Sequence, residues 1–465
     1  MNAPGCWRTT GSAVELRPPT PPLCFILNES VNGEIDMSNQ LDILIVGAGL
    51  SGLAASIQCA LSGHSIRVLE AAKALTEIGA GLQLTPNATR LLQQWRVYDM
   101  LRDRVCEPNT LSVYNYKGKT LAEEKDFGSN IRKKYSAPFS DCHRVDLQQA
   151  LARRAKELGI TVELNAKVSH IDFGDASGSK AQVTTTEGKT YVADLVVGAD
   201  GLWSTCRSTL LDRNDPPLPT GDLAYRIVLD INQIEDDKLR EMVQTPACRF
   251  WAGPDAHVVA YSMRGGNMYN IVLLVPDDLE EGVARTQGDT QEMKKLFEGW
   301  DPVLTQFLGC VNRVDKWKLM HRKELVSWIN PQNNLVLIGD SCHPMLPYLA
   351  QGANSSIEDG AVLGLLLGPE ALGSKVQLAE NLQLFQQLRK SRGEDIVRET
   401  FKQRKDFHMR DGPDQERRDA LMLRQLGQEL RGAFPSRWTC PEVQPWLYGY
   451  DAHKEVEAVI HSREL

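Results

Sequence analysis

Two patterns of apolar residues, one typical of buried strands and one of helices with a buried face, alternate along the chain and predict where its strands and helices lie. DILIV, at residues 42–46, is a short, apolar, β-branched run, which is typical of a strand buried on both faces. Residues 50–62 carry apolar side chains four positions apart and end before Gly63, which predicts a helix with one buried face. SIRVLE, at 65–70, predicts a second strand, so this stretch has the order strand, turn, helix, strand.

Residues 146–197 repeat both patterns. Residues 147–158 form an apolar stripe at helical spacing, with Asp146 as the predicted N-cap and Gly159 as the end of the helix. The strand-like run ITVEL comes next. Between residues 167 and 197 three further runs predict a β-meander, namely KVSHID, AQVTTT and TYVADLVV.

Longer β-rich runs dominate residues 218–320 and predict an antiparallel sheet with a helix near 291–300. These runs are DLAYRIVLDI, ACRFWAG, HVVAYSM and MYNIVLLV. The buried-strand pattern returns at LVLI. This strand is followed by a loop with two prolines and by a predicted helix from about Gly352. Two long polar helices, at roughly 376–408 and 414–430, precede the C-terminal tail.

Composition and charge narrow the class of protein. A chain of 465 residues with 42% hydrophobic content can bury large cores and is long enough for two domains. Its net charge of −8, with both signs interspersed, argues against nucleic acid and membrane surfaces as partners, and no apolar run approaches the roughly 18 residues of a membrane span. Residues 1–40 are rich in Pro, Gly, Ser and Asn, and they are predicted to be a disordered extension with Met37 as an alternative start.

The cysteines give an expectation about compartment and metal. Ten cysteines lie far apart along the chain and form no C-x-x-C pair, which speaks against a disulfide framework and a zinc site. We therefore expect a reducing, cytoplasmic compartment and no metal.

Glycines in the turn after the first strand form the motif G-x-G-x-x-G at Gly47, Gly49 and Gly52. The first permits a tight turn, the second lets a pyrophosphate approach the backbone, and the third lets the helix pack on the strand. The amides at the N-terminus of the helix point at the bound anion, and Glu70 is placed to accept hydrogen bonds from an adenosine ribose. These features predict a dinucleotide-binding unit. The alternatives are a turn without a ligand and a solvated acid at a strand end.

Three more residues are candidates for contact with the dinucleotide. Ala80 and Gly81, preceded by Gly79, permit close backbone approach, either to a cofactor or in a tight turn. Arg144 stands just before the predicted helix cap, where it can reach a phosphate or a cofactor edge. Its alternative role is an ion pair with a surface acid.

Three separated motifs stand in order along the chain: GAGLSG with Glu70, GADGLWSTCR, and GDSCHPMLPYLAQGANSSIEDG. Together they resemble the FAD-dependent aromatic hydroxylases, or group A flavoprotein monooxygenases, and most closely the salicylate-hydroxylase-like fungal branch. The resemblance covers about residues 41–452 and implies FAD as cofactor. It also implies that NAD(P)H reduces the flavin, that dioxygen adds to it, and that the resulting flavin hydroperoxide hydroxylates an electron-rich aromatic ring.

The resemblance also implies roles for individual residues. Asp200 would serve the FAD pyrophosphate and the nicotinamide cofactor, or only the hydrogen bonding of its own turn. Asp340 would hold the ribityl chain. Gly352 and Ala353 would begin a helix whose N-terminal amides face the flavin and stabilise its anionic reduced form.

The predicted fold class is α/β (α+β), with a Rossmann-like FAD-binding domain, an interleaved antiparallel β-sheet substrate domain and C-terminal helices. The predicted domains are a disordered extension (1–40), the first part of the FAD-binding domain (41–217), the substrate domain (218–325), the second part of the FAD-binding domain (326–375), and C-terminal helices with a tail (376–465).

Candidates for catalysis come from the sheet domain. In DLAYRIVLDI, strict alternation turns Arg226 to the face of Ala224 and Val228, where apolar neighbours favour a role for the arginine other than pure solvation. In HVVAYSM, His257 and Tyr261 share a face by the same period. Because electrophilic attack favours a phenolate, we expect Arg226 to bind the substrate phenolate or carboxylate and Tyr261 to hydrogen-bond the reacting oxygen. His257 is a third candidate.

Each catalytic candidate has a structural alternative: an ion pair for Arg226, a core tyrosine for Tyr261 and an ordinary buried histidine for His257. The predicted function is hydroxylation of a phenolic or benzoate-like aromatic by a monomer or homodimer. The alternatives are a flavin epoxidase acting on a terpenoid alkene and a flavin-binding protein without oxygenase chemistry.

Overall fold

The computed structural model describes residues 40–75, 80–176, 178–371 and 377–463. The predicted disordered extension, apart from residue 40, and Gly79 lie outside these residues. Within them, every helix is too short or too polar to cross a lipid bilayer.

A five-stranded parallel sheet stands at the centre of the predicted cofactor unit. Its order is β18-β11-β1-β2-β7, and its strands are β1 (Asp42–Val46), β2 (Ser65–Leu69), β7 (Thr161–Glu163), β11 (Leu195–Gly198) and β18 (Leu335–Leu337). The predicted strand, turn, helix, strand order is confirmed, with the first helix at α1 (Leu50–Leu61). From Ile43 to Val46 the first strand is buried, as expected of a parallel strand with both faces covered.

Helices cover this sheet and join it to the C-terminal part of the chain. The helix α1 packs against α4 (Arg144–Glu157) and α9 (Gln351–Leu366), and α9 packs against α2 (Pro86–Gln94), α10 (Leu378–Phe407) and α13 (Ala452–Arg463). The remaining helices are α3 (Phe127–Tyr135), α5 (Thr205–Leu211), α6 (Asp237–Gln244), α7 (Thr290–Leu296), α8 (Pro302–Gly309), α11 (Pro413–Arg424) and α12 (Gln444–Tyr448). The predicted polar helices are α10 and α11, although α11 ends at Arg424.

The predicted N-cap of α4 was wrong. The helix begins at Arg144 with His143 as its N-cap, and Asp146 lies inside its first turn. The Asp146 carboxylate accepts hydrogen bonds from Arg104 and Arg264, with nitrogen–oxygen distances of 2.8–2.9 Å. These charge-assisted bonds hold the pKa of Asp146 below its usual value, despite the opposing effect of burial, and occupy the oxygens that a cap would offer to the backbone.

The predicted meander divides between two sheets. Its first three strands, β8 (Val168–Asp172), β9 (Ala181–Thr185) and β10 (Thr190–Ala193), form a small antiparallel sheet. TYVADLVV is not one strand, because Asp194 interrupts it and the chain continues as β11 in the parallel sheet. The Asp194 side chain accepts the backbone N–H of Asp42 at 2.9 Å, which fixes the crossing point beside the first strand.

An eight-stranded sheet forms the second body of β-structure, in the order β16-β17-β12-β15-β14-β13-β4-β5. Its strands are β4 (Thr110–Asn115), β5 (Thr120–Lys125), β12 (Leu218–Asp230), β13 (Ala247–Gly253), β14 (Ala256–Met263), β15 (Met268–Pro276), β16 (Arg285–Gly288) and β17 (Val314–His321). Sequence analysis placed 110–125 in the FAD-binding part, whereas β4 pairs in parallel with β13. The proposed domain boundaries otherwise stay a prediction.

The two faces of this sheet carry different cores. Leu223, Tyr225 and Ile227 pack into one cluster, while Ala224 and the half-buried Val228 pack into the other, so the predicted alternation of β12 is confirmed. The second face looks toward the C-terminal helices and toward β3 (Gly81–Leu84), which pairs with β6 (Ser140–His143). The functional site lies on this side.

Candidate active site

Two cavities meet at the glycine turn. The central cavity, about 300 Å³, is bordered by the turn, by β3, by the eight-stranded sheet and by residues 340–353. The side cavity, about 370 Å³, is bordered by the turn, by Glu70 and by the loop after β11. Both cavities are bordered by Gly49, Arg144, Ala199 and Gly201. A long ligand that crosses the turn would therefore occupy both, as a dinucleotide does.

The three motif glycines have different reasons to be glycine. Gly47 has a φ of +103°, and a Cβ there would lie 2.5 Å from the carbonyl oxygen of Ala199. A Cβ at Gly52 would lie 1.9 Å from the carbonyl oxygen of Gly47, so both residues are required by packing. A Cβ at Gly49 would meet no atom of the described residues within 4 Å. That position faces open cavity, which fits a site kept clear for a pyrophosphate.

Glu70 borders the side cavity and also holds the turn in place. One of its oxygens accepts the backbone N–H of Ala48 and the other that of Ala72, each at 2.8 Å. The carboxylate thus lies where an adenosine ribose is expected, with both oxygens already bonded once to the backbone. Each oxygen retains a lone pair for a further donor.

Asp200 has the structural role that sequence analysis kept as its alternative, and it also borders the side cavity. Its carboxylate accepts hydrogen bonds from the hydroxyl of Ser204 at 2.5 Å and from the backbone N–H groups of Thr205 and Cys206 at 2.7 and 3.0 Å. These bonds fix the start of α5. Asp340 is exposed and borders the central cavity.

The N-terminus of α9 opens onto the central cavity. Gly352 and Ala353 border it, and a Cβ at Gly352 would come no closer than 3.7 Å to its nearest neighbour, a carbon of Met345. The first amides of a helix have no partner within the helix and carry the positive end of its dipole. This end of α9 is therefore suited to an anionic or electron-rich ring edge.

Ala80 and Gly81 lie on the opposite wall. The backbone N–H of Gly81 donates to Oδ1 of Asn270 at 2.9 Å, and the N–H of Arg144 donates to the carbonyl of Ala80 at 3.0 Å. A Cβ at Gly81 would approach Asn270 and the Tyr261 hydroxyl to 2.6 and 2.7 Å. Glycine is thus required here by the sheet behind it.

Arg226 and Tyr261, the first two catalytic candidates, both border the central cavity. The guanidinium of Arg226 also lies over the ring of Trp317, 5.0 Å from its centroid. Burial raises the pKa of Tyr261 well above its usual value, while the positive charge of Arg226 acts in the opposite direction. The phenol is therefore neutral at physiological pH and able to donate its proton in a hydrogen bond.

His257 is not among the residues that border this cavity. Its Nδ1 lies 2.6 Å from Nε2 of His408, and its ring packs against Tyr348 with centroids 5.0 Å apart. Burial lowers the pKa of His257 well below its usual value, and the neighbouring His408 acts in the same direction. The neutral imidazole thus joins the sheet to the end of α10, which is the buried role kept as its alternative.

Gln83 and Trp438 border the central cavity and were not among the residues predicted from the sequence. Gln83 lies on β3, two positions after Gly81, and an alternation argument on GLQL would have placed the two on one face. Trp438 reaches the cavity from the C-terminal segment and packs against Phe250 with centroids 5.1 Å apart. No local pattern in its loop points to that contact.

One buried group resembles a metal-ligand set by composition. One ligand atom each of Cys342, His343 and Asp359 lies within 4.8 Å of the others. The two Asp359 oxygens are bonded to Nε2 of His343 at 2.6 Å and to Nε of Arg389 at 2.8 Å. The cluster is thus bonded as an ion network, and the absence of a metal stays a prediction.

Comparison with known proteins identifies a family that matches most of this chain. The family model described as FAD binding domain matches residues 40–400. The FAD-dependent monooxygenase OpS4 of Beauveria bassiana (strain ARSEF 2860) is 46% identical over 428 residues, covering 91% of this chain and 98% of the relative. The 3-hydroxybenzoate 6-hydroxylase of Polaromonas naphthalenivorans (strain CJ2) is 28% identical, covering 90% of this chain and 98% of the relative.

Solved structures share the fold. A salicylate hydroxylase substrate complex matches 90% of this chain and 98% of its own with a TM-score of 0.72 and 21% identity. CtdE in complex with FAD and a substrate matches 92% of this chain and 100% of its own with a TM-score of 0.76, also at 21% identity. The similarity therefore extends over both β-bodies and the helices around them.

Proposed function

We propose, from the premise that this chain belongs to the FAD binding domain family and is an FAD-dependent monooxygenase of the aromatic hydroxylase type, that it uses NAD(P)H and dioxygen to hydroxylate a phenolic or benzoate-like aromatic. The observation that carries the proposal is the central cavity, where Arg226 and Tyr261 face the segments expected to hold the flavin. The names of two similar proteins, a 3-hydroxybenzoate 6-hydroxylase and a salicylate hydroxylase, support the same substrate class.

The two cavities fit FAD in chemistry and connection. The open position at Gly49 and the N-terminus of α1 would receive the pyrophosphate, and Glu70 would receive the adenosine ribose. Asp340 would bind the ribityl chain, and the amides at Gly352 and Ala353 would face the flavin ring. Bound FAD would supply the transfer of electrons from NAD(P)H and the activation of dioxygen.

The side chains of this protein would bind and orient the aromatic substrate. Arg226 carries a fixed positive charge into a cavity bordered by Val259, Val272 and Leu274, so it favours an anionic phenolate or carboxylate there. Tyr261 would donate a hydrogen bond to the reacting oxygen. The apolar side chains around these two groups lower the local dielectric, which strengthens both interactions. His257 does not border the cavity, and we assign it no contact with the substrate.

NAD(P)H oxidation by the purified, FAD-loaded protein tests this function. We expect salicylate, 3-hydroxybenzoate or a related phenol to stimulate oxidation of NADH or NADPH and to yield a product one oxygen atom heavier by mass spectrometry. Stimulation by a terpenoid alkene alone, with an epoxide as product, would favour the epoxidase. Protein that is colourless and takes up no added FAD would contradict the proposal at its first step.

A further inference from the structure

A polar cluster that the proposed reaction does not use lies behind the central cavity. Gln83 borders the cavity and is 4% exposed. Its Nε2 donates to Oδ1 of Asp141 at 2.8 Å and to Sγ of Cys248 at 3.2 Å. Gln83 and Asp141 are paired across the β3–β6 ladder, and Cys248 belongs to β13 of the large sheet. Two separate elements therefore hold this one amide.

Asp141 is an unusual residue for a core position. It is fully buried, and among the described residues its second oxygen, Oδ2, has no hydrogen-bond partner. Burial raises the pKa of Asp141 well above its usual value, and the Gln83 hydrogen bond acts in the opposite direction. A proton on Oδ2 would leave Oδ1 as an acceptor, so the bond from Gln83 persists in either charge state.

The orientation of the Gln83 amide decides what it can offer to a ligand. An amide nitrogen carries two hydrogens, and here both are directed at Asp141 and Cys248. The carbonyl Oε1 is the polar group left for a molecule in the central cavity. Arg226, at the same cavity, has donors only. The cavity thus combines a fixed cation with a fixed acceptor.

We propose that Gln83, oriented by Asp141, accepts a hydrogen bond from a hydroxyl or amino group of the aromatic substrate and determines specificity for it. The inference rests on the proposed function and narrows its substrate class. The substrate carries a phenolate or carboxylate for Arg226 and, apart from that group, a hydrogen-bond donor for Gln83. Hydroxybenzoates and aminobenzoates have this pattern, whereas their O-methylated or unsubstituted analogues lack the donor. Asp141 is a positioning residue, because it acts through the Gln83 amide.

Paired ligands that differ only in the donor test this assignment on the FAD-loaded enzyme. The pairs are salicylate with 2-methoxybenzoate and 3-hydroxybenzoate with 3-methoxybenzoate, and the flavin absorption change on titration gives each Kd. We expect the wild type to prefer the hydroxylated member of at least one pair. Gln83→Met should reduce that preference by about tenfold, because a site built around a hydrogen bond rejects the analogue that lacks the donor.

Substitutions at Asp141 separate orientation from packing. Asp141→Asn retains an acceptor for Gln83 and should keep the wild-type preference, whereas Asp141→Leu frees the amide to turn and should lower the preference as Gln83→Met does. A purely structural defect would weaken both members of a pair equally and leave the ratio unchanged. If a single variant fails to fold, Gln83→Met combined with Asp141→Leu removes the buried carboxyl together with its partner.

The outcomes distinguish this inference from the proposed function. Unchanged ratios in Gln83→Met and Asp141→Leu, in an enzyme whose NAD(P)H oxidation is stimulated by phenols, would overturn the role of Gln83 and leave the function standing. Failure of both pairs to bind or to stimulate the wild type would overturn the substrate class and the inference together. A ratio that falls in both variants and is retained in Asp141→Asn supports the inference.

Discussion

Arg226 brings a positive charge to the sheet side of the central cavity, which Arg144 also borders, and a nearby arginine provides a matched control. The guanidinium groups of Arg226 and Arg285 both lie over Trp317, but Arg285 is on the edge strand β16, forms an ion pair with Asp315 and does not border the cavity. We expect Arg226→Ala to lower kcat/KM for an anionic aromatic on the order of 10²-fold with FAD still bound, because a desolvated anion loses its partner. Arg285→Ala should leave kcat/KM within about twofold. Equal effects of the two variants would contradict the assignment.

Tyr261 differs from Arg226 in being neutral, and this gives a prediction about pH. Because burial holds the pKa of its phenol well above the usual value, Tyr261 stays protonated across the range of ordinary assays. We expect Tyr261→Phe to lower kcat by at least about tenfold, since one hydrogen bond to the reacting oxygen is lost. The kcat–pH profiles of variant and wild type should run parallel between about pH 6 and 9. Loss of a limb of the profile in Tyr261→Phe would show that Tyr261 itself titrates.

Sequence periodicity predicted Arg226 and Tyr261 because a strand has only two faces. Alternation assigned each side chain to one face of its strand, and both side chains border the central cavity. His257 obeys the same period, yet it packs against Tyr348 and His408, since period does not say how far along a strand the cavity extends. Gln83 and Trp438 depend on how distant segments pack, which no local pattern records.

At the scale of elements, α9 is held in place by buried charges. Arg389 on α10 pairs with Glu358 at 2.7 Å and with Asp359 at 2.8 Å, and Arg392 pairs with Glu358 at 2.9 Å. The attraction of His343 and Arg389 outweighs desolvation and lowers the pKa of Asp359 to about 2. This network fixes the helix whose N-terminus borders the central cavity.

Removing Arg389 should therefore disturb both the fold and the cofactor site. We expect Arg389→Ala to destabilise the protein by about 3–5 kcal/mol, because two buried carboxylates lose a partner, and to weaken the retention of FAD. Lys390→Ala is the control, since Lys390 and Glu394 are only half-buried and the loss of their i,i+4 pair should cost about 1 kcal/mol. Thermal unfolding and the flavin content after gel filtration measure both effects. Equal melting temperatures for the two variants would contradict this role of the network.

The pairing of elements was harder to predict than the elements themselves. The hydrophobic patterns located β1, α1, α10 and the β-rich centre, because each of these elements has a local periodicity. The same patterns could not show that Asp194 divides one apolar run between two sheets, or that β4 and β5 join a sheet formed mainly by residues 218–321. Those pairings are non-local. The same holds for Asp146, which pairs with Arg104 and Arg264, both distant in sequence, and does not cap α4.

At the scale of the whole molecule, the central cavity lies between the glycine turn of the parallel sheet and the eight-stranded sheet. The glycine turn also borders the side cavity, and Gly49 borders both cavities. The family motifs predicted this arrangement from sequence, since they come from separated parts of the chain that must converge on one cofactor. A ligand bound across the turn stabilises the folded state by a free energy that grows with the logarithm of its concentration relative to its Kd, so holoprotein and apoprotein should differ in melting temperature.

Gly49→Ala tests whether one cofactor crosses the turn. The backbone at Gly49 has a φ of −71°, which alanine adopts readily, and in the part of the chain that the structure describes a Cβ there would meet no atom within 4 Å. We expect the apoprotein of this variant to melt within about 2 °C of the wild-type apoprotein, while FAD affinity falls by about tenfold or more because the methyl group occupies the path of the pyrophosphate. Gly52→Ala is the contrast, since its Cβ would overlap the carbonyl of Gly47 and the apoprotein itself should lose stability. Undiminished FAD affinity in Gly49→Ala, measured by flavin fluorescence on titration, would mean that the cofactor does not pass over Gly49.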